Sequence, residues 1–323
     1  MNKIISILFF MIGSIAFAAP TVTDVVAKQR YPWGLVDISC KVSGLEGEVK
    51  GLAFAASAIF PDSGITNRIS QIWIIKDGKK LTDCAVSANG SYWLLWDAKA
   101  DLGEVCYTNM VVSVIIDRAM VQLWDGGPYW ATTNIGAEEP EEYGYYFWWG
   151  DTVGYKREND KWVASDGSNS DFAFYSSNAP TDGKPISTLQ SEGWITADRV
   201  LAPEHDAANI HWGNGWRMPT KDEFDALRNN CDWTWTTQNG VNGYIVKGRG
   251  DYASNSIFLP AAGYGYRASL VNSGSNGYYW SSDPVWNFEY WAFYLYFYSS
   301  YHGVDGSYRN DGRAVRPVQG VTK

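Results

Sequence analysis

The sequence predicts two domains, an all-β sandwich followed by an α+β domain in which strands outnumber helices. Three observations carry this reading. The 323 residues exceed what one ordinary domain holds. Residues 22–117 run as short apolar segments of period two, punctuated by Asp77-Gly78 and Asn89-Gly90. From residue 118 onward the composition shifts: that part carries 13 of the 17 tryptophans, and its 16 basic and 24 acidic side chains give −8 of the formal net charge of −9.

Residues 1–19 have the pattern of a signal peptide: Lys3, an apolar run over 4–15, and the small-x-small motif Ala16-Phe17-Ala18. The mature chain is expected to begin at Ala19 and to be exported to the periplasm, cell surface or medium. No later apolar run approaches the roughly 18 residues of a membrane helix. The acidic balance argues against nucleic acid, because neutralising phosphates takes clustered Lys and Arg.

Residues 20–118 are read as the sandwich. Strands are expected over 35–42, 52–60, 69–76, 92–96 and 111–116, a spacing that resembles an immunoglobulin or fibronectin type III module. Four cysteines in an exported chain can form disulfides. Cys84 and Cys106 flank one strand and its turn and are the pair expected to bridge. Cys40 is read as a buried thiol or a bridge across the sandwich, and Cys231, alone in its domain, as free.

Residues 119–323 form the second domain. It opens with a strand, a Gly-Gly-Pro turn and a strand over 122–136, followed by four glutamates read as a solvated loop. Residues 155–188 are polar and weakly periodic, and are expected to be an insertion over the surface. A short helix is expected after Pro203. The strongest local signal is Thr220-Lys221-Asp222-Glu223, a capping box that opens a helix with Phe224 and Leu227 on one face. Trp216, Arg217, Thr220, Glu223 and Arg316 are read as a structural clasp, in which Arg217 forks onto Glu223 or a carbonyl. Arg313 and Arg316, three apart, fall on opposite strand faces and are not expected to share a site.

Strands are then expected over 243–247, 256–259, 278–281, 289–298 and 313–318. In the run 289–298, alternation places Trp291, Phe293, Leu295 and Phe297 toward the core. Tyr290, Ala292, Tyr294, Tyr296 and Tyr298 lie opposite, as a stacking platform or as a layer covered by the insertion. The adjacent loops 263–267, 283–288 and 299–312 contribute Tyr266, Trp286, Asn287, Tyr301, Asp305 and Arg309. The candidate ligand contacts are these six with Tyr290, Tyr294 and Tyr298. His302 is read as a surface residue or a pH-sensitive contact.

The ordered segments YWATTNIGAEEPEEYGYYFWWGD, HDAANIHWGNGWRMPTKDEFDALRNNCDWTW, GYIVKG, NSIFLPAAGYG, NGYYWSSD and GRAVRPV together resemble the Fibrobacter succinogenes major paralogous domain, over about residues 121–319. Trp216-Arg217-Met218-Pro219-Thr220 is also similar to an element of formylglycine-generating sulfatase-modifying proteins. The resemblance implies a C-type-lectin-like fold, with few helices against a central sheet and chain ends close together. The late cysteine pair of formylglycine-generating enzymes, the histidine cluster of iron-dependent sulfoxide synthases and the calcium-lectin Glu-Pro-Asn and Trp-Asn-Asp motifs do not occur. The expectation is therefore an exported, non-catalytic binding or adhesion protein without cofactor or metal, recognising glycan or protein surfaces. The alternatives are a structural subunit of a surface or fimbrial assembly and, behind it, a formylglycine-generating-type oxidase.

Overall fold

The computed structural model describes residues 20–320 apart from 31–33, 46–51, 70–71, 82–84, 87, 104–109, 169–171 and 214. The expected signal peptide and the Cys84–Cys106 pair lie outside these residues. The chain is mostly β and divides into two compact units at Asp117–Arg118. Among the described residues no helix is long and apolar enough to cross a membrane.

The first unit contains β1 (Thr21–Gln29), β2 (Leu35–Ser43), β3 (Leu52–Phe60), β4 (Ile65–Ile69), β5 (Ile72–Lys76), β6 (Lys79–Leu81), β7 (Gly90–Asp97), the one-turn helix α1 (Ala98–Leu102) and β8 (Val111–Arg118). A five-stranded sheet runs β1-β2-β7-β5-β6 and a three-stranded sheet β4-β3-β8. Period-two alternation buries Val36, Ile38, Cys40 and Val42 on β2 and Phe54, Ala56, Ala58 and Phe60 on β3. Asp77 and Gly78 both take positive φ, 51° and 73°, as a two-residue hairpin turn between β5 and β6 requires. The strand expected over 69–76 is two strands in different sheets, β4 and β5. Cys40 is a buried free thiol, the first of the two states expected for it.

The second unit continues with β9 (Met120–Gln122), β10 (Tyr129–Ala131), β11 (Tyr146–Phe147), β12 (Tyr155–Glu158), β13 (Lys161–Ala164), α2 (Ile186–Ser191), α3 (Ala207–Trp212), β14 (Trp216–Arg217), α4 (Lys221–Asn230), β15 (Asp232–Gln238), β16 (Val241–Lys247) and β17 (Ser256–Pro260). It ends with β18 (Tyr264–Tyr266), β19 (Ser269–Val271), β20 (Asn276–Pro284), β21 (Trp291–Tyr298), β22 (Tyr301–Tyr308), β23 (Arg313–Ala314) and β24 (Val318–Gln319). A seven-stranded sheet, β13-β12-β11-β23-β20-β21-β22, is its centre. A second sheet runs β14-β24-β10-β9, so the first and last strands of the unit flank β10 and bring its ends together.

Over its middle the central sheet is buried on both faces. One face packs Leu295 and Phe297 of β21 with Phe174, Phe224, Leu227 and Tyr244; the other packs Ala292 and Tyr294 with Trp149, Trp280, Ile186 and Leu189. Two covered faces remove the simple alternation of a half-exposed strand. Hence Trp291 and Phe293, expected in the core, are only half-buried, whereas Ala292 and Tyr294, expected opposite, are buried.

The insertion expected over residues 155–188 instead enters the core. β12 and β13 join the central sheet, Trp162 and Phe174 are buried, and Tyr155 stacks on Phe172 at 3.5 Å between ring centroids. Its polar Gly- and Ser-rich composition hid four aromatic anchors. The strand expected over 313–318 is interrupted, with only Arg313–Ala314 and Val318–Gln319 paired.

The clasp forms as expected. Glu223 N–H donates to Thr220 Oγ1 at 3.1 Å and Thr220 N–H to Glu223 Oε2 at 2.8 Å, closing the capping box. Arg217 forks onto the same carboxylate, with Nη1 donating to Oε2 at 2.7 Å and Nη2 to Oε1. Arg316 is fully buried and ties together distant segments, donating to Asn134 Oδ1, Ala131 O and Phe258 O at 2.8 to 2.9 Å. Phe224 and Leu227 are both fully buried beneath α4.

One latch went unread. Asp206 caps α3 through Ala208 N–H at 2.8 Å and Asn209 N–H at 3.1 Å, while its other oxygen accepts Met218 N–H at 2.8 Å.

Candidate functional site

Antiparallel pairing of β20, β21 and β22 lines up one row of side chains on each strand. Tyr278 opposes Tyr296, which opposes Gly303; Asn276 opposes Tyr298, which opposes Tyr301; and Trp280 opposes Tyr294, which opposes Asp305. The loop expected over 299–312 is thus largely the edge strand β22, joined to β21 by a two-residue turn. Its glycines and its Asp305 disguised it in the sequence, since none of these is a strand-favouring residue.

The far end of this row is open. Tyr298 and Tyr301 are 38 % and 48 % exposed, and their rings lie 5.6 Å apart at an interplanar angle of 25°. Tyr296 sits 5.8 Å from Tyr298 and 6.2 Å from Tyr301 by ring centroids. With Gly303, Val304 and Asp305 they line a groove of about 450 Å³. That falls within the roughly 300–1,000 Å³ of small-ligand sites. Gly303 is buried, and the Tyr301 hydroxyl occupies the space where a Cβ at Gly303 would lie.

The floor is fixed from behind. Asn276 Nδ2 donates to the Tyr296 hydroxyl at 2.9 Å, and Asn272 Nδ2 to the Tyr278 hydroxyl at 3.1 Å. Deeper in the row, Arg313 lies 3.6 Å over the Tyr294 ring and 4.3 Å from the Trp280 ring while donating to Asp311 Oδ2 at 2.9 Å. Burial raises the phenol pKa values of Tyr278, Tyr294 and Tyr296, so these rings are neutral and their hydroxyls both donate and accept near pH 7.

The expected contacts therefore separate. Tyr298, Tyr301 and Asp305 come together in the groove with Tyr296. Tyr294 belongs to the same row but is 8 % exposed and sealed beneath Arg313, which corrects its place among the surface contacts. Arg309 is also no surface contact: it is buried, lies over the Trp149 ring at 5.7 Å and donates to the carbonyls of Glu289, at 3.0 Å, and Lys184. Burial lowers its pKa to about 10.

The remaining four candidates lie outside the groove lining. Trp286 is half-buried beneath the Arg199 guanidinium at 4.9 Å, and Asn287 and Tyr290 are exposed on the turn that leads into β21. Tyr266 packs on Tyr175 at 4.8 Å, and Tyr175 approaches Tyr308 at 6.5 Å. Tyr175 and Tyr308 are exposed aromatics that the sequence reading missed.

His302 points to the opposite sheet face and stacks on Trp233 at 4.4 Å and 13°, so it contacts core rather than ligand. Burial, reinforced by Arg228, lowers its pKa. In the acidic loop, Glu141 accepts from Gln238 Nε2 at 3.2 Å and from Asn239, which ties the loop to the β15–β16 turn. Among the described residues no group of three His, Cys, Asp or Glu side chains is placed to hold a metal ion.

Residues 232–318 match a family described as a domain of unknown function, DUF8237. No curated protein and no solved structure matches the chain. The DUF8237 span opens at β15 and reaches the start of β24, so it contains every residue of the groove but neither the α4 clasp nor the first unit.

Proposed function

We propose that this is an exported, non-catalytic binding or adhesion protein of a bacterial envelope, which recognises glycans through the β21–β22 groove. The second unit is read as a Fibrobacter succinogenes major paralogous domain with a C-type-lectin-like fold, carried on an immunoglobulin-like spacer. The fold reading is supported by few helices against a central sheet and by unit ends that meet on either side of β10.

The observation that carries the function is the open tyrosine row itself. Tyr298 and Tyr301 are exposed and near-parallel, and sugar rings pack their C–H faces on such aromatic surfaces while hydroxyls bond at the rim. The oxidase reading is weakened by Cys231: burial pushes its thiol up to about 12, so it is not a ready nucleophile. The test is a glycan screen of the mature chain beside Tyr298→Ala and Tyr301→Ala. Specific binding lost in both variants, with folding intact, supports the reading.

One observation favours the second reading, a subunit of a surface assembly. β1 is a nine-residue edge strand that, among the described residues, pairs only with β2. Such an edge is a template for strand addition. Concentration-dependent mass in light scattering would distinguish this reading.

A further inference from the structure

The groove's wall chemistry narrows the ligand beyond glycan in general. Its lining contains three tyrosine rings and one carboxylate, Asp305, and no basic side chain. Asp305 Oδ1 accepts its neighbour Gly306 N–H at 2.8 Å; among the described residues no cation pairs with Asp305. The nearest cation in the row, Arg313, lies over Tyr294 and is paired with Asp311.

Ring faces carry negative quadrupole density and attract cations, more strongly when the site is partly desolvated. A carboxylate at the rim adds a directional, charge-assisted acceptor. The surrounding chain reinforces both, since residues 118–323 carry a net formal charge of −8. An acidic or sulfated sugar would meet repulsion from every one of these sources. A neutral sugar would gain no charge pairing with Asp305, which is exposed at the rim.

We propose that the groove selects sugars bearing a free, protonated amine, of the 2-amino-2-deoxy type, with the pyranose stacked on Tyr298 and Tyr301 and the ammonium held by Asp305. This assignment rests on the glycan reading above and deepens it. Near-parallel exposed rings suit a flat pyranose; Asp305, level with buried Tyr294 in the strand register, sits where a substituent projecting inward from that ring would arrive.

The test is calorimetric titration of the mature chain at pH 6 with three probes: a β-1,4-linked glucosamine tetramer, its fully N-acetylated counterpart and tetralysine. Wild type, Tyr298→Ala and Asp305→Asn are compared, each checked for an unchanged melting temperature. The expected result is binding of the glucosamine tetramer at least tenfold tighter than the acetylated one. The preference should shrink to within about threefold in Asp305→Asn, and both affinities should be lost in Tyr298→Ala. Equal affinity for the two tetramers, or a preference that survives Asp305→Asn, overturns the amine assignment and leaves glycan binding standing. Binding of neither tetramer overturns the amine assignment, and an empty glycan screen beside it overturns the glycan reading as well. Tetralysine bound more tightly than the glucosamine tetramer assigns the groove to peptide amines and overturns the sugar.

Discussion

Tyr301 lies over Gly303 two residues along the same strand, its hydroxyl filling the space that any side chain at Gly303 would claim. This contact holds the outer wall of the groove in place and bares Tyr296 as its floor. Gly303→Val should push the Tyr301 ring outward. Glycan affinity is expected to fall at least tenfold while stability changes by less than about 1 kcal/mol, because Tyr301 is largely a surface side chain. Titration and thermal melts on the same sample check both.

Glu223 serves two partners at once, the capping box and the Arg217 fork. Glu223→Ala removes an N-terminal cap interaction and leaves a half-buried guanidinium with only carbonyl acceptors. The expected loss is about 2 kcal/mol. Chemical denaturation should show it, with glycan binding by the remaining folded protein unchanged, since the clasp does not touch the groove.

Asp311 and Arg313 form an ion pair whose side chains are 9 % and 3 % exposed. Arg313→Ala strands a buried carboxylate and removes the cation over the Tyr294 ring, for an expected cost of about 3 to 5 kcal/mol. Removing both partners should cost less than the sum of the single changes. A double-mutant cycle measures the difference.

Burial raises the Asp206 pKa to about 6, against the opposing pull of hydrogen bonds from Met218, Asn209 and Ala208. The folded chain then holds a proton that the unfolded chain releases above its ordinary value of 3.8. The stability this group contributes is therefore greatest at low pH and is lost as pH rises through about 6. Relative to Asp206→Asn, the wild type should gain about 2 kcal/mol between pH 7 and pH 4. Denaturant melts of both proteins at the two pH values isolate this group from the histidines, whose lowered pKa values act in the opposite direction.

Local chemistry was legible in the sequence and tertiary coverage was not. Thr220 and Glu223 announce α4 because a capping box is closed by residues three apart, and Asp77-Gly78 announces its hairpin for the same reason. Residues 289–298 read as a strand, and parity placed Leu295 and Phe297 in the core, where they lie, but it left Ala292 and Tyr294 on a face that is buried as well. Which face of a strand is buried depends on what packs there, and here both faces are covered. Tyr301 and Asp305, which line the groove, were legible as candidates by residue type. Gly303 was not, because its contribution is the absence of a side chain opposite Tyr296, a relation that exists only once β21 and β22 pair. Arg309 misled because a charged residue in an apparent loop reads as surface, whereas Trp149 and the carbonyls of Lys184 and Glu289 enclose it.

The most direct test of the central claim is glycan binding by Tyr298→Ala and Tyr301→Ala beside the wild type, measured by calorimetry against a ligand found in a glycan screen. The groove reading predicts that each variant keeps the wild-type melting temperature within a few degrees and loses at least tenfold in affinity. Undiminished binding by both folded variants would contradict it.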